Sequence, residues 1–306
     1  MVHLLLVGDL LGEDSYTLCL SFFLRWFVVL LISTAKHSIS ILREVEDYID
    51  GFELGIGLEE KNREICEAFG EKIFTIHNLP AIRTDYDKNF MMNPAVDPQG
   101  SARMVKKMVK RINSFLTDWK LYGVHGGLRG KISGPNDFVI KGRRLSIQKC
   151  IENVSEFSRI LKRDGLLPLV ALENIYGADL DSPAIGMNET ELGEISKHIG
   201  LLLDLGHMAV NCAYQNIKLE QLSFDGLPIK EIHLSFLRPE IQDFSTNYLD
   251  KNLMYWDHYP YSNTAVNRQI LELAKKLKKV TEIIAVEITG SKEEIKKSLE
   301  LLQALR

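Results

Sequence analysis

The sequence predicts an α/β fold, a single-domain (β/α)8 (TIM) barrel that carries an extra N-terminal segment. Three observations support this fold. Eight short apolar runs recur along the chain, helix-like amphipathic stretches separate them, and together they fill about 250 residues, the usual size of such a barrel. No internal repeat or long linker divides the 306 residues into separate domains.

The apolar runs have the composition of strands that are buried on both faces. They are rich in Val, Ile, Leu and Phe and mostly lack alternation of apolar and polar residues, which is typical of a parallel sheet. We therefore predict strands at Phe27–Ser33, Phe52–Ile56, Ile73–His77, Leu121–His125, Leu167–Glu173, Leu201–Asp204, Ile229–Leu234 and Ile283–Ile288.

Amphipathic stretches between these runs predict the helices. Two of them begin with the pattern of a capping box, in which a small polar residue precedes a glutamate by three positions, as in Asn188/Glu191 and Ser291/Glu294. The predicted helices are Ser38–Tyr48, Gln99–Trp119, Ser146–Leu161, Asn188–His198, Val266–Val280 and a last helix that opens at Ser291.

An open, doubly wound sheet is the alternative to the barrel. Such a sheet commonly carries a phosphate-binding glycine motif after an early strand. The nearest candidate, Gly55-Ile56-Gly57, lacks the third glycine and is followed by Glu59 and Glu60, which would repel a pyrophosphate. The closed barrel is therefore preferred.

The N-terminal segment contains an apolar run, Leu18 to Ile32, with two interpretations. It could be a signal or membrane anchor, but Arg25 interrupts it and acidic rather than basic residues precede it. We instead expect its second half to form the first strand. The predicted division is residues 1–25 as an extension and 26–306 as the barrel, with no stable membrane partner.

Composition limits the compartment and the partners. There are 37 basic and 41 acidic residues, a formal charge of −4, so the chain has no overall attraction to nucleic acid. The four cysteines, Cys19, Cys66, Cys150 and Cys212, form no C-x-x-C pair. We expect reduced thiols in a cytoplasmic protein.

Imidazoles and carboxylates follow the predicted strands where a barrel enzyme has its active site, at the carboxyl ends. Packed at one mouth, such carboxylates repel one another unless a cation lies among them. Because the set offers no thiolate, the ligand types suit Mn, Zn, Co, Mg or Fe, and their number allows one to three ions. The set is His77, His125, Glu173, Asp204, His207, His233, Asp257, His258 and Glu287.

The order of these motifs resembles a known family. The sequence IHN, VHGG, LEN, LDLGH, IHLS, WDH and VEIT, spread over residues 27–306, is similar to the xylose-isomerase-like TIM-barrel superfamily. That superfamily contains sugar and sugar-phosphate isomerases and epimerases, endonuclease IV and multinuclear non-heme iron oxidative enzymes. The resemblance therefore implies a metal-dependent barrel, with the reaction open among these activities.

The preferred interpretation is a sugar or sugar-phosphate isomerase or epimerase. The family's single-metal site matches Glu173, Asp204, His233 and Glu287, and its ion would stabilise an enediolate. Glu173 and Glu287 would exchange protons with the substrate, and His207 would bind a substrate oxygen. The further substrate-binding candidates are Asn78, Asn174, Arg129, Lys131 and Arg238. Glu53 either lines the pocket or pairs with an arginine of the barrel.

Three alternatives remain. An endonuclease-IV-like phosphodiesterase would use the full set in a three-metal site, although the adjacent Asp257 and His258 depart from that family's aspartate and histidine, which one residue separates. An oxidative iron enzyme is favoured by LENIYG and LLLDLGHMAVN. A metal-dependent binding protein is the third alternative. The expected partner is a small sugar or sugar phosphate, and nucleic acid is the less favoured alternative. The sequence leaves open whether the chain forms a homo-oligomer.

Overall fold

Eight parallel strands close into a barrel in the computed structural model, which describes residues 28–56, 59–78, 92–132, 139–177, 181–242 and 256–306. Each strand pairs with the next, and β1 pairs with β8. The strands are β1 (Val29–Ser33), β2 (Gly51–Ile56), β3 (Ile73–Asn78), β4 (Leu121–His125), β5 (Val170–Glu173), β6 (Gly200–Asp204), β7 (Ile229–Leu234) and β8 (Ile283–Val286). The predicted barrel is confirmed, and the open sheet is excluded.

A helix follows every strand. The helices are α1 (Ile39–Val45), α2 (Glu59–Phe69), α3 (Pro98–Ile112), α4 (Ile147–Arg163), α5 (Glu189–Ser196), α6 (Leu205–Gln215), α7 (Ala265–Leu277) and α8 (Lys292–Leu302). The capping box at Ser291 and Glu294 is confirmed. At Asn188 only half of the box forms, because the Glu191 carboxylate accepts from the backbone N–H groups of Gly186 and Met187 instead.

The structure differs from the prediction at several element boundaries and at two helices. Leu167–Leu169 forms a 3₁₀ turn before β5, where Pro168 has no N–H for a strand ladder. Helix α3 ends at Ile112 rather than at Trp119. The indole N–H of Trp119 donates to the side-chain oxygen of Asn113. Helices α2 and α6 are absent from the prediction. Helix α6 follows β6 without a loop and is buried over most of its length, so its sequence lacks an amphipathic pattern.

Successive side chains of each strand point alternately into the barrel interior and outward. Residues two apart on a strand share a face, so Leu121 lies on the same face of β4 as His125, and Ala171 on the same face of β5 as Glu173. Leu121, Ala171 and Leu202 pack together as a small apolar cluster apart from the main core. This layer also contains Thr75 and Glu231, which lie in register with Leu121 and Leu202, so the interior below the strand ends is partly apolar and partly polar.

The segment before the barrel is only partly described. Val29–Ser33, in the second half of the N-terminal apolar run, is a buried strand as predicted. Residues 1–25 lie outside the described residues, so the predicted extension stays a prediction. Among the residues that the structure describes, no helix is long and apolar enough to span a membrane.

Candidate metal centre

The nine predicted side chains meet at one mouth of the barrel, in three groups of candidate metal ligands. Within each group the donor atoms lie within 4.8 Å of one another. We name them the central group (Glu173, Asp204, His233 and Glu287), the β3–β4 group (His77, His125 and Glu173) and the loop group (His207, Asp257 and His258). Apart from His258, which is half-buried, all these side chains are buried.

Glu173 connects two of the groups. Its Oε2 lies 2.7 Å from Nε2 of both His77 and His125. Its other oxygen, Oε1, lies 3.4 Å from Nδ1 of His233 and 3.4 Å from Nδ1 of His207. The carboxylate at the end of β5 therefore faces the β3–β4 group with one oxygen and the central group with the other.

The central group has the atoms that a cation requires. His233 Nδ1 lies 3.4 Å from Glu287 Oε2 and 4.0 Å from Asp204 Oδ2. Three atoms of this group are buried without a hydrogen-bond partner, namely Glu173 Oε1, Asp204 Oδ2 and His233 Nδ1. Buried polar atoms of this kind are normally satisfied. A divalent cation among them would satisfy all three at once, so the residues fit a metal ion.

The loop group joins α6 to the segment before α7. His207 Nε2 lies 3.3 Å from Asp257 Oδ2, and His258 Nε2 lies 3.6 Å from Asp257 Oδ1. Side chains of adjacent residues usually point apart, but His258 has a φ of 65°. Because this left-handed backbone turns the chain, both Asp257 and His258 join His207 in one group. Asp257 and His258 therefore belong to the same group although they are adjacent in the sequence.

The LDLGH segment shows how sequence positions these ligands. Asp204 ends β6 and caps α6, because its Oδ1 accepts from the backbone N–H of His207 at 2.6 Å. The other oxygen of Asp204 is thereby left for the central group. At Gly206 a Cβ would lie 2.0 Å from Ser235 Oγ, so glycine permits the close approach of α6 to the strand end of β7.

The hydrogen-bond partners fix which nitrogen of His207 is free. His207 Nδ1 lies 2.8 Å from the backbone carbonyl oxygen of Asn174. A carbonyl oxygen only accepts, so in the neutral ring Nδ1 carries the hydrogen and Nε2 carries the lone pair. That lone pair lies on the side of Asp257, where the tyrosine hydroxyl of Tyr176 donates to Asp257 Oδ1 at 2.8 Å.

The charges of the cluster are strongly coupled. Burial alone would raise the pKa of Glu173, but His125 and His77 outweigh it and hold that pKa well below its usual range. Burial lowers the pKa of His125. Burial opposes protonation of His77 as well, but Glu173 and the further carboxylate Glu53 outweigh it there and raise the pKa to about 9. Two imidazoles with the same contact to Glu173 thus shift in opposite directions.

The pKa values of two other buried carboxyl groups, Asp204 and Glu231, are raised. Burial raises the pKa of Asp204 to about 6, with Glu173 and Asp257 adding to the shift and His207 opposing it. Burial, and next the charge of Glu53, raises the pKa of Glu231 to about 8. At neutral pH these two carboxyl groups therefore carry less negative charge than ordinary carboxyl groups do.

Some site residues were not predicted, or were predicted with another partner. Glu53 pairs with His233 rather than with an arginine, as its Oε2 lies 2.7 Å from His233 Nε2. Glu231 lies below the centre and accepts from Thr75 Oγ1 at 2.9 Å. Its signal in the sequence is an acidic residue within the apolar strand IKEIHL. Tyr176 carried no signal beyond its position after LEN.

The structure describes the five predicted substrate-binding residues to different extents, and Asn174 lies directly beside the cluster. Arg129 Nε donates to the backbone carbonyl of Leu145, and Lys131 is exposed. Arg238 is half-buried, and its Nε has no hydrogen-bond partner. The side-chain amide of Asn174 bonds to the backbone of Asp204, and the side chain of Asn78 lies outside what the structure describes. Substrate binding by these residues stays a prediction.

The same barrel occurs in solved structures of low sequence identity. The IOLI protein with a binding zinc atom is 14% identical over 91% of this chain and 96% of its own, with a TM-score of 0.54. Endonuclease IV from Thermus thermophilus is 14% identical over 90% and 98%, with a TM-score of 0.51. A sugar phosphate isomerase/epimerase from Parabacteroides distasonis is 12% identical over 89% and 97%, with a TM-score of 0.52.

These likenesses extend over nearly the whole barrel, and at such identities they show the fold alone. No protein-family model matches the sequence, and no curated protein matches it significantly. The buried clusters of histidine, glutamate and aspartate fit a metal centre. The chain therefore has the fold of the xylose-isomerase-like TIM barrels, the superfamily that its strand-end motifs resemble.

Proposed function

We propose that the chain is an enzyme with a multinuclear centre of divalent metal ions that hydrolyses a phosphate ester. The observation that carries this proposal is the double use of Glu173, which faces His77 and His125 with one oxygen and the central group with the other. A carboxylate placed in this way commonly bridges two ions. The loop group supplies imidazole and carboxylate donors for a third.

The chemistry follows from such a cluster. Closely spaced divalent ions generate a nucleophile from water near neutral pH and stabilise both the attacking and the leaving oxygen of a phosphoryl group. In this chain Glu173 would hold the ions at a fixed spacing. His207 would present Nε2, because its Nδ1 hydrogen is committed to the carbonyl of Asn174. Arg238 is the favoured anion-binding side chain, because its buried Nε lacks a partner.

A second candidate is the sugar or sugar-phosphate isomerase or epimerase that the sequence favours. It is supported by the central group, which is complete by itself and includes carboxylates from β5 and β8. Glu173 and Glu287 each lie 3.4 Å from His233 Nδ1 through one oxygen. They would act as the acid and the base on a substrate held between them. In that function His77, His125 and the loop group would contact substrate rather than metal.

Metal counting combined with two assays separates the candidates. The protein is purified without chelators or an affinity metal, its ions are counted by elemental mass spectrometry, and it is assayed on bis(p-nitrophenyl) phosphate and on a panel of ketoses and their phosphates. Two or three zinc or manganese ions per chain together with ester hydrolysis support the first candidate. One ion with epimerised sugar supports the second. Two or three iron ions without hydrolysis contradict both and favour oxidative chemistry.

Glu173→Gln tests the placement of the centre. The substitution keeps the shape of the side chain but removes the negative charge that faces four histidines. We therefore expect loss of bound metal and of activity. The four histidines are His77, His125, His207 and His233. Glu300→Gln, at an exposed position on α8, is the matched control. If Glu173→Gln retains both metal and activity, the centre lies elsewhere.

A further inference from the structure

Glu53 lies on β2 with a fully buried side chain, and its partner His233 lies on β7, with β1 and β8 between the two strands. The two residues are 180 positions apart, and their strands are not neighbours in the sheet. Their contact therefore crosses part of the barrel interior and reaches His233, a member of the central group. Burying a carboxylate there is costly, and an apolar residue would fill the same space at lower cost.

Glu53 contacts one edge of the His233 ring, and the other edge faces the central group. Nε2 of His233 lies 2.7 Å from Glu53 Oε2. On the opposite edge, Nδ1 faces Glu173 Oε1 and Glu287 Oε2, each at 3.4 Å, and has no hydrogen-bond partner. A carboxylate accepts hydrogen bonds, so the hydrogen of the neutral ring lies on Nε2 and the lone pair on Nδ1.

We propose that Glu53 is a positioning residue for the metal centre, which accepts the Nε2 hydrogen of His233 and directs the Nδ1 lone pair at the central group. This inference rests on the metal centre of the proposed function. A carboxylate behind a ligating imidazole fixes the tautomer and the ring orientation and makes the nitrogen a better ligand. Glu53 acts through His233 and does not touch the metal or the substrate.

A direct ligand role for Glu53 is the competing explanation. Glu53, His77 and His233 have donor atoms within 4.8 Å of one another, so they meet the spacing of a metal site. However, Nδ1 of His233 faces Glu173 and Glu287 of the central group. With a further ion between Nε2 and Glu53, His233 would have to serve two ions with its two nitrogens. The positioning role requires only one ion at this imidazole.

The test compares Zn²⁺ binding by the wild type, Glu53→Gln, Glu53→Leu and the control Glu231→Gln. Glu231 is equally buried on β7 but bonds to Thr75 instead of a ligating imidazole. Chelator competition gives the affinity, and elemental analysis at saturating Zn²⁺ gives the number of ions per chain. The imidazole nitrogens of the Zn²⁺-loaded proteins are assigned by ¹⁵N NMR, which reports the tautomer of His233 directly.

We expect Glu53→Gln and Glu53→Leu to keep the wild-type number of ions at saturation but to bind Zn²⁺ about 10–100-fold more weakly, the usual effect of losing such a partner. The Nε2–H of His233 should be seen in the wild type and should shift in both variants. Glu231→Gln should bind within about twofold of the wild type. Glu53→Gln is close to isosteric, so it remains informative if Glu53→Leu does not fold.

Two results would overturn the inference. Unchanged Zn²⁺ affinity in Glu53→Gln and Glu53→Leu would show that His233 needs no partner, and the loss of one whole ion at saturation would show that Glu53 is itself a ligand. A wild-type protein that binds no Zn²⁺, Mn²⁺ or Fe²⁺ would instead refute the metal centre. The failure of the inference and the failure of the proposed function are thus distinct outcomes.

Discussion

The side-chain amide of Asn174 makes two hydrogen bonds with the backbone of Asp204, one in each direction. Asn174 Nδ2 donates to the Asp204 carbonyl at 3.0 Å, and the Asp204 N–H donates to Asn174 Oδ1 at 2.8 Å. The backbone carbonyl of Asn174 also accepts from His207 Nδ1. Asn174 therefore fixes the spacing of β5 and β6 just where the central group and the loop group meet.

Asn174→Ala should lower both stability and metal affinity. The substitution leaves the buried N–H and carbonyl of Asp204 without these partners, at a cost of about 2–4 kcal/mol in the free energy of unfolding. Denaturant unfolding of the metal-free protein measures the first effect, and Zn²⁺ competition the second. Asn263→Ala, at an exposed position, is the control. A loss of activity with unchanged stability and metal affinity would instead support the predicted contact of Asn174 with substrate.

Gly206→Ala should destabilise the protein, and Ser235→Ala should rescue it. The new Cβ would lie 2.0 Å from Ser235 Oγ but 3.3 Å from Ser235 Cβ, so the hydroxyl is the main obstacle. Overpacking of this kind costs about 1–3 kcal/mol. Ser235 Oγ is buried without a hydrogen-bond partner, so its removal alone should cost little. Thermal and denaturant unfolding of both single variants and the double variant measures the coupling.

The outcome of that cycle also tests the path of the LDLGH turn. If the double variant recovers most of the loss, the coupling between the two positions is at least about 1 kcal/mol, as expected for side chains in direct contact. Equal losses in Gly206→Ala and in the double variant would contradict the close approach of α6 to β7. In that case the constraint on Gly206 would come from the backbone alone.

The positions of the strands and of most candidate ligands could be predicted from the sequence, because both depend on local pattern. Apolar runs mark buried strands, and the carboxyl ends of parallel strands meet at one mouth, so Glu173, Asp204 and His233 could be assigned together without knowing any contact. The pairing of Glu53 with His233 could not, because it depends on which side chains face each other across the closed barrel. Helix α6 could not be predicted, because its buried sequence continues the apolar pattern of β6.

The orientation of charged side chains in loops could not be predicted from the sequence either. Arg129 follows the VHGG motif and is predicted to bind an anionic substrate. Its Nε donates to the carbonyl of Leu145, a contact that the sequence does not reveal, and its contact with substrate stays a prediction. A long side chain on a loop has many partners within reach, and composition does not select among them. The strand-end histidines are constrained by the sheet itself, and therefore their convergence could be predicted.

Metal-free protein should lose stability as the pH rises from about 6.5 to 9. Burial opposes protonation of His77 and His207, but their carboxylate neighbours outweigh it and raise both pKa values to about 9. Protonation of a group whose pKa is higher in the folded state stabilises that state, so this contribution is complete below the unfolded value of about 6.5 and is lost through pH 9. Unfolding by denaturant at pH 6.5, 7.5 and 8.5 measures it.

The affinity of the protein for metal should rise with pH, whereas the stability of the metal-free protein falls. An ion displaces the protons from these imidazoles, so the affinity for Zn²⁺ should rise about tenfold per pH unit in the same window for each histidine that must lose a proton. Chelator competition at the same three pH values, with the release of protons followed in weak buffer, measures the linkage. An affinity that does not change with pH would show that neither histidine is a ligand.

Single histidine substitutions should remove single ions if the centre is multinuclear. His77 belongs to the β3–β4 group and His207 to the loop group, and neither belongs to the four residues of the central group. We therefore expect His77→Asn and His207→Asn each to lose about one ion per chain and to retain the others, with ester hydrolysis reduced by more than about 100-fold. His198→Asn, at a position outside the cluster, is the control.

The same variants separate the two proposed activities. In a mononuclear isomerase both histidines contact substrate, so His77→Asn and His207→Asn would keep a single ion with unchanged affinity and would lose turnover only. Elemental analysis of all four proteins therefore decides between the candidates before any substrate is known. Loss of an ion in one variant but not in the other would indicate a dinuclear centre, and would identify which of the two outer groups binds the second ion.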